Sequence, residues 1–131
     1  MKKTPLLNSA LSQLIAGLGH GDMLVIADAG LPIPAHTPRI DLALTKNIPG
    51  FIDTLRVVLT EMQVEKAVIA QEMGRVSPAV EAGIAELLPD TAVSQVSHDE
   101  FKKMTAAARA IVRTGEFTPY ANIILIAGVV F

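Results

Sequence analysis

The chain has no cysteine and no tryptophan, and only 4% of its 131 residues are aromatic. Without cysteine there are no disulfides, thiolate nucleophiles or thiolate metal sites, which allows a reducing cytoplasm. Charged residues make up 18% of the chain, low against the roughly 25% of ordinary soluble domains. That shortfall points to a surface partly covered in a homo-oligomer; a small-residue core under a thin polar shell is the plainer alternative. The net charge of −2 comes with no basic run, which argues against nucleic acid, because neutralising phosphates takes clustered Lys and Arg. No stretch reaches the ~18 apolar residues of a membrane span, and the amino terminus shows no signal-peptide hydrophobic region.

Half of the residues are apolar. With so few aromatics, the core must be built from Ala, Val, Ile and Leu, the texture of α/β proteins with parallel strands. At this length residues 1–131 form one domain. Asn8 is placed to cap a helix carrying Leu11, Leu14, Ile15 and Leu18, which Gly17 and Gly19 end. Met23 to Ala27 is an unbroken apolar run, the pattern of a strand buried on both faces, and it delivers Asp28 to a loop. Prolines then punctuate a long stretch, up to Gly50, with little regular structure expected. A helix over Phe51 to Met62, a strand near Ala67 to Ala70, a helix from Ser77-Pro78 to Pro89, and a strand over Thr91 to Val96 follow. Ser97 and Glu100 form a capping box for a helix running to about Arg109, and Ile123 to Phe131 is the last strand. Alternating strands and helices predict an α/β fold, a single three-layer α/β/α domain. An apolar segment like the last one implies burial, centrally in the sheet or against another subunit.

Chemistry is concentrated in a few places. Of the three histidines, His36 lies in the proline-rich loop without an acidic neighbour. His20 stands between Gly19 and Gly21, uncrowded, just past a helix end; an imidazole favoured there by the helix dipole is the ordinary alternative to a catalytic one. His98 falls on the first turn of its helix with Lys102 one turn later, so the two share a face. A solvated stripe of His98, Lys102, Thr105 and Arg109 is the competing reading. Asp28 follows a buried strand, and the carboxyl ends of strands are where open α/β sheets bind ligands. The run from Arg113 to Asn122 contains Gly115 and Pro119, which shape a turn able to present the Tyr120 hydroxyl and the Asn122 amide to a polyhydroxylated ligand. Gly17 to Gly21 is no dinucleotide loop, because the order of strand and helix around it is reversed. Neither a metal-binding helix spacing nor a Gly-x-Ser-x-Gly elbow is present. Acid–base chemistry remains.

Gly19-His-Gly-Asp22, the run from Ile26 to Pro34, Ser97-His98 with Lys102, and the run from Arg113 to Asn122 together resemble the D-ribose pyranase family, relatives of fucose mutarotase. The resemblance extends over the whole chain, although Gln71 to Val93 carries no matching motif. It implies a cofactor-free, metal-free cytoplasmic isomerase that interconverts the β-pyranose and β-furanose forms of D-ribose. His20 would be the catalytic proton donor, and Asp28, His98, Lys102, Tyr120, Ala121 and Asn122 would bind the sugar. It also implies a homodecamer of stacked rings. A non-catalytic sugar-binding accessory of sugar uptake is the alternative function.

Linear order alone has a geometric consequence. His20 precedes the first strand and Asp28 follows it, so an extended chain separates them by roughly 25 Å, too far for one ribose. Either the turn at Gly21 folds His20 back along the sheet, or each site takes its His20 from a neighbouring subunit; the second is the reading adopted. Tyr120 and Asn122 precede their strand whereas Asp28 and His98 follow theirs. Grouping the four requires the last strand to run antiparallel to the rest, in a mixed, mostly parallel sheet.

Overall fold

The structure, a computed structural model, describes residues 1–131. Eleven regular elements follow in chain order: α1 (Ser9–Ala16), β1 (Met23–Ala27), β2 (Arg39–Asp41), α2 (Phe51–Leu59), β3 (Val64–Ala70), α3 (Glu72–Val76), α4 (Pro78–Leu87), β4 (Ala92–Val96), α5 (His98–Met104), β5 (Ala110–Arg113) and β6 (Ile123–Ala127). The strands form one six-stranded sheet in the order β2-β5-β1-β6-β3-β4. All neighbours are parallel except β6, which runs antiparallel to both β1 and β3. The mixed sheet required by grouping Tyr120 and Asn122 with Asp28 and His98 is therefore present.

Side-chain alternation along the strands divides the core into two layers. Leu24 and Ile26 of β1 join Leu11, Phe51, Leu55, Val58, Met73, Val80 and Ile84, so α1 to α4 cover one face. Val25 and Ala27 point the other way, to Leu31, Phe101 and Ala108, so α5 and two loop segments cover the second. Both faces of β1 are sealed, which is why its sequence is apolar without interruption.

Several elements differ from the sequence expectation, each for a local reason. The helix expected to reach Arg109 ends at Met104 in a 3-10 turn, Thr105–Ala107. Thr105 turns its Oγ1 back to the Lys102 carbonyl (2.7 Å), a bond that competes with helix propagation. The chain then re-enters the sheet as β5, too short at four residues to show a periodicity of its own; its order comes from pairing with β1 on one side and β2 on the other. In the loop before Gly50, β2 is a three-residue strand that exists only as the edge partner of β5. Thr60 ends α2 three residues early by bonding to the Val57 carbonyl, although Met62 is still buried. The capping box at Ser97 is half formed. Ser97 Oγ accepts the Glu100 N–H at 3.1 Å, but the carboxylate at that helix start belongs to Glu72, whose oxygens accept the His98 N–H at 2.9 and 3.1 Å. The last strand is central, as its composition demands, yet it stops at Ala127, and Val130 and Phe131 are 85% and 101% exposed in the single chain.

Candidate active site

Because β6 is antiparallel, its beginning lies at the same sheet edge as the ends of β1, β4 and β5. This brings Tyr120 to Asn122 beside Asp28, while the first residues of α5 approach from β4. Asn122 is wholly buried and binds Asp28 twice: its Oδ1 accepts the Asp28 main-chain N–H at 2.8 Å and its Nδ2 donates to Asp28 Oδ2 at 3.0 Å. The Gly30 N–H donates to the other carboxylate oxygen at 3.0 Å. Burial raises the Asp28 pKa above its ordinary value, and the hydrogen bonds from Gly30 and Asn122 and the field of His98 pull against that rise.

Tyr120 is held against His98, ring edge to ring face, with centroids 4.9 Å apart and an interplanar angle of 84°. Its backbone has φ +62°, a left-handed conformation that costs a non-glycine residue about 1–2 kcal/mol. The turn is kept there by the Asn122 N–H donating to the Tyr120 carbonyl (2.8 Å) and by Ser77 Oγ donating to the Pro119 carbonyl (2.6 Å). Ala121 is fully buried between its two polar neighbours. His98 Nδ1 is buried and has no partner within the chain, a cost that native structures rarely leave unmet. Lys102 lies one turn from His98 but its ammonium pairs with Asp99 at 3.1 Å.

The sheet edge also opens into a cleft of about 370 Å³, between Asp28, Gly30, Arg113, Glu116, Thr118 and other residues, within the range of small-molecule sites. His98 and Tyr120 stand outside its wall. Arg113 crosses it, donating from Nε to the Ala29 carbonyl (3.1 Å) and from its NH1 group to both Asp41 oxygens (3.0 and 3.2 Å). Glu116 ties the turn to the fold: it accepts the Phe51 N–H at the start of α2 (3.0 Å) and the Thr118 hydroxyl (2.9 Å). Glu72, Ser77, Arg113 and Glu116 therefore shape the site, a role that the sequence assigns to none of them, although Ser77 marks a helix start and Arg113 and Glu116 belong to the run that ends at Asn122. Each acts through backbone groups distant in sequence, and no local pattern carries that.

His20 is elsewhere. It belongs to the loop entering β1 at the opposite sheet edge, where its Nε2 lies 2.8 Å from Glu65 Oε2. The Gly21 N–H bonds to the Ala127 carbonyl at 2.8 Å, so the turn does not fold His20 back along the sheet towards Asp28. It lines a separate hollow of about 290 Å³ with Ile15, Leu18, Gln63, Val129 and Phe131 among its walls. His36 is exposed in its loop. One chain thus gathers Asp28, His98, Tyr120, Ala121 and Asn122, leaves Lys102 at their margin, and holds His20 the length of β1 away, roughly 16 Å of strand.

Comparison with known proteins agrees with this architecture. The profile of the RbsD / FucU transport protein family matches residues 1–130. A D-ribose pyranase from Chloroflexus aggregans is 63% identical over 131 residues, the whole of both chains. The structure of Bacillus subtilis RbsD complexed with D-ribose superimposes with a TM-score of 0.97 at 47% identity, covering 100% of each chain. The fucose mutarotase of Streptococcus pneumoniae in complex with L-fucose gives a TM-score of 0.86 at 26% identity, again over 100% of both.

Proposed function

The chain belongs to the RbsD / FucU transport protein family, and from that membership we infer that it is an isomerase interconverting the β-pyranose and β-furanose forms of D-ribose. The observation that carries the reading is the 63% identity, over the whole of both chains, with a D-ribose pyranase.

The reaction suits the groups available. The anomeric hydroxyl loses its proton, its oxygen becomes the aldehyde carbonyl as the bond from C1 to O5 breaks, and O5 takes up a proton. The O4 hydroxyl then adds to C1 and releases its proton, and the former carbonyl oxygen regains one. Protons and electron pairs balance without an electron sink. Well-placed acid–base groups give about 10²- to 10⁴-fold, roughly 3–6 kcal/mol off the barrier. That is ample for a reaction that already proceeds in water.

In this reading His20 is the proton donor, and Asp28, His98, Tyr120, Ala121 and Asn122 hold the sugar hydroxyls, with Lys102 adding a donor at the margin. The aimed carboxylate of Asp28 and the unpartnered Nδ1 of His98 support the binding roles. The distance between His20 and Asp28 supports a homo-oligomer in which each site takes its His20 from a neighbour. The exposed apolar side chains of Val130 and Phe131 beside His20 are the surface such a contact would cover. The assembly is a decamer of stacked rings, and the protein works in the cytoplasm.

Exchange NMR on D-ribose tests the function. The enzyme accelerates the pyranose–furanose exchange. An unchanged exchange rate with a ribose-dependent rise in melting temperature would instead establish a sugar-binding accessory.

A further inference from the structure

We propose that Glu65 is the positioning residue of His20, aimed by a β-bulge, and that it commits the imidazole to exchange its proton through Nδ1. The inference rests on the catalytic role given to His20 above.

The pairing of β3 with β6 slips at this point: Val64 faces Ala127 and Lys66 faces Ile126, so Glu65 is the extra residue. The side chains record the slip. In an unbroken strand Val64 would share a face with Lys66 and Val68. Instead Val64 packs into the same core as Ala67 and Ile69, Val68 packs into the other, and Glu65 and Lys66 are exposed in succession. Bulges of this kind re-aim one side chain, and they recur beside active sites.

The two ends of the contact share a frame. Ala127, opposite the slip, accepts the Gly21 N–H at 2.8 Å and donates its own N–H to the Asp22 carbonyl at 2.9 Å. Gly21 has φ +85°, and Asp22 Oδ2 accepts the Gly19 N–H at 2.8 Å, so both flanks of His20 are tied. The next residue is Gly128, where a Cβ would lie 3.1 Å from the Glu65 Cβ; glycine leaves the carboxylate its room. The resulting separation of 2.8 Å between Glu65 Oε2 and His20 Nε2 is a full hydrogen bond.

A carboxylate can only accept, so Nε2 carries its hydrogen in either charge state of the ring. Nδ1 is then the lone-pair site of the neutral imidazole and the donor of the protonated one. It takes a proton from a sugar hydroxyl, returns one to a ring oxygen, and leaves the residue unchanged. As an exposed pair the contact adds little to folding stability; its value is orientation, the part a carboxylate plays behind a catalytic histidine.

The test uses the assembled wild type, Glu65→Ala and Glu65→Gln. Glutamine keeps an oxygen that accepts the Nε2 hydrogen. Loss of alignment in Glu65→Ala should lower kcat about 10- to 100-fold with KM nearly unchanged, and Glu65→Gln should restore most of it. In the wild type, ¹⁵N NMR of the His20 ring should show the Nε2–H tautomer, with a mixture of tautomers in Glu65→Ala. A wild-type kcat in Glu65→Ala, or an Nδ1–H tautomer in the wild type, overturns the proposal. The tautomer measurement needs no turnover and no variant. A wild type that leaves the ribose exchange rate unaltered therefore sinks the enzymatic reading alone.

Discussion

Asn122 and Asp28, 94 residues apart in sequence, are joined by a reciprocal pair of hydrogen bonds, amide to main chain and amide to carboxylate. The pair welds the start of β6 to the end of β1 and aims the carboxylate at the sheet edge. Replacing Asn122 by Ala leaves the Asp28 N–H and one carboxylate oxygen without their partner in a half-buried place. A loss of about 1–3 kcal/mol in stability is expected, read by urea denaturation, together with loss of the ribose-dependent rise in melting temperature. A variant that keeps both would show that the weld does not hold the site.

The raised pKa of Asp28 sets a pH dependence whose sign can be worked out. The folded chain holds this proton more tightly than the unfolded one, whose carboxyl titrates near the ordinary value of 3.8. The stabilising contribution is therefore complete below that value and is lost as pH rises through the folded-state pKa. Asp28→Asn removes the titration and keeps an oxygen for the Asn122 amide. Relative to this variant, the wild type should lose stability as pH climbs from about 3.8, and the variant should bind ribose more weakly. Parallel stability curves for the two proteins from acid to neutral pH would contradict the assignment.

Glu72 opens the short helix α3 and Ser77 caps its end, and they grip the two halves of the site, Ser77 at the Pro119 carbonyl and Glu72 at the His98 N–H. Ser77→Ala frees the carbonyl next to the left-handed Tyr120. One hydrogen bond of about 0.5–1.5 kcal/mol corresponds to roughly 2- to 10-fold in KM, while kcat should hardly move, since Ser77 braces the turn of a sugar-holding residue and the proposed proton donor comes from a neighbouring subunit. Steady-state kinetics separate the two. A fall in kcat at constant KM would show that the brace acts on chemistry.

Gly115 is required for space. A Cβ there would meet the carbonyl oxygens of Thr45 and Ile48 at 2.5 Å each, and backbone on both sides cannot retreat like a side-chain tip. Gly115→Ala should destabilise the protein by about 1–3 kcal/mol or more and displace the turn that carries Glu116 and Thr118. Unchanged thermal melting would mean that the 45–49 loop is far softer than its bonds to Gly115 indicate, in which the Asn47 N–H donates to the Gly115 carbonyl and the Gly115 N–H to the Pro49 carbonyl.

These positions also mark where sequence reasoning reached and where it stopped. Strand β1, the Asn8 cap of α1 and the Pro78 start of α4 were legible because their signals are local: an apolar run, a side-chain oxygen three residues before its N–H, a proline at the first helical position. The antiparallel β6 followed from which side of each strand the polar residues lay on. Strands β2 and β5 were not legible, because four residues or fewer have no period and exist only through their neighbours. The segment from Gln71 to Val93 carries no motif of the family, yet it supplies Glu72 and Ser77; a carboxylate or hydroxyl that binds distant backbone leaves no spacing in the chain. Glu65 was hidden for the same reason, since a bulge is a property of two strands.

The separation of His20 from Asp28 makes one prediction that turns on assembly alone. If His20 is the proton donor and Asn122 holds the sugar, as proposed, His20→Ala and Asn122→Ala each disable the site by one component, and each should be nearly inactive by itself. If every site draws His20 from one subunit and Asn122 from another, mixed assemblies made by unfolding and refolding the two together regain intact sites. With random mixing in equal amounts, a site is whole when its His20 donor is the Asn122 variant and its Asn122 donor is the His20 variant. That is roughly one quarter of the sites in a closed ring of like contacts. Recovered ribose exchange near that fraction is the expected result. If each chain built its site alone, no mixture could contain an intact one, and activity would stay at the level of the separate variants.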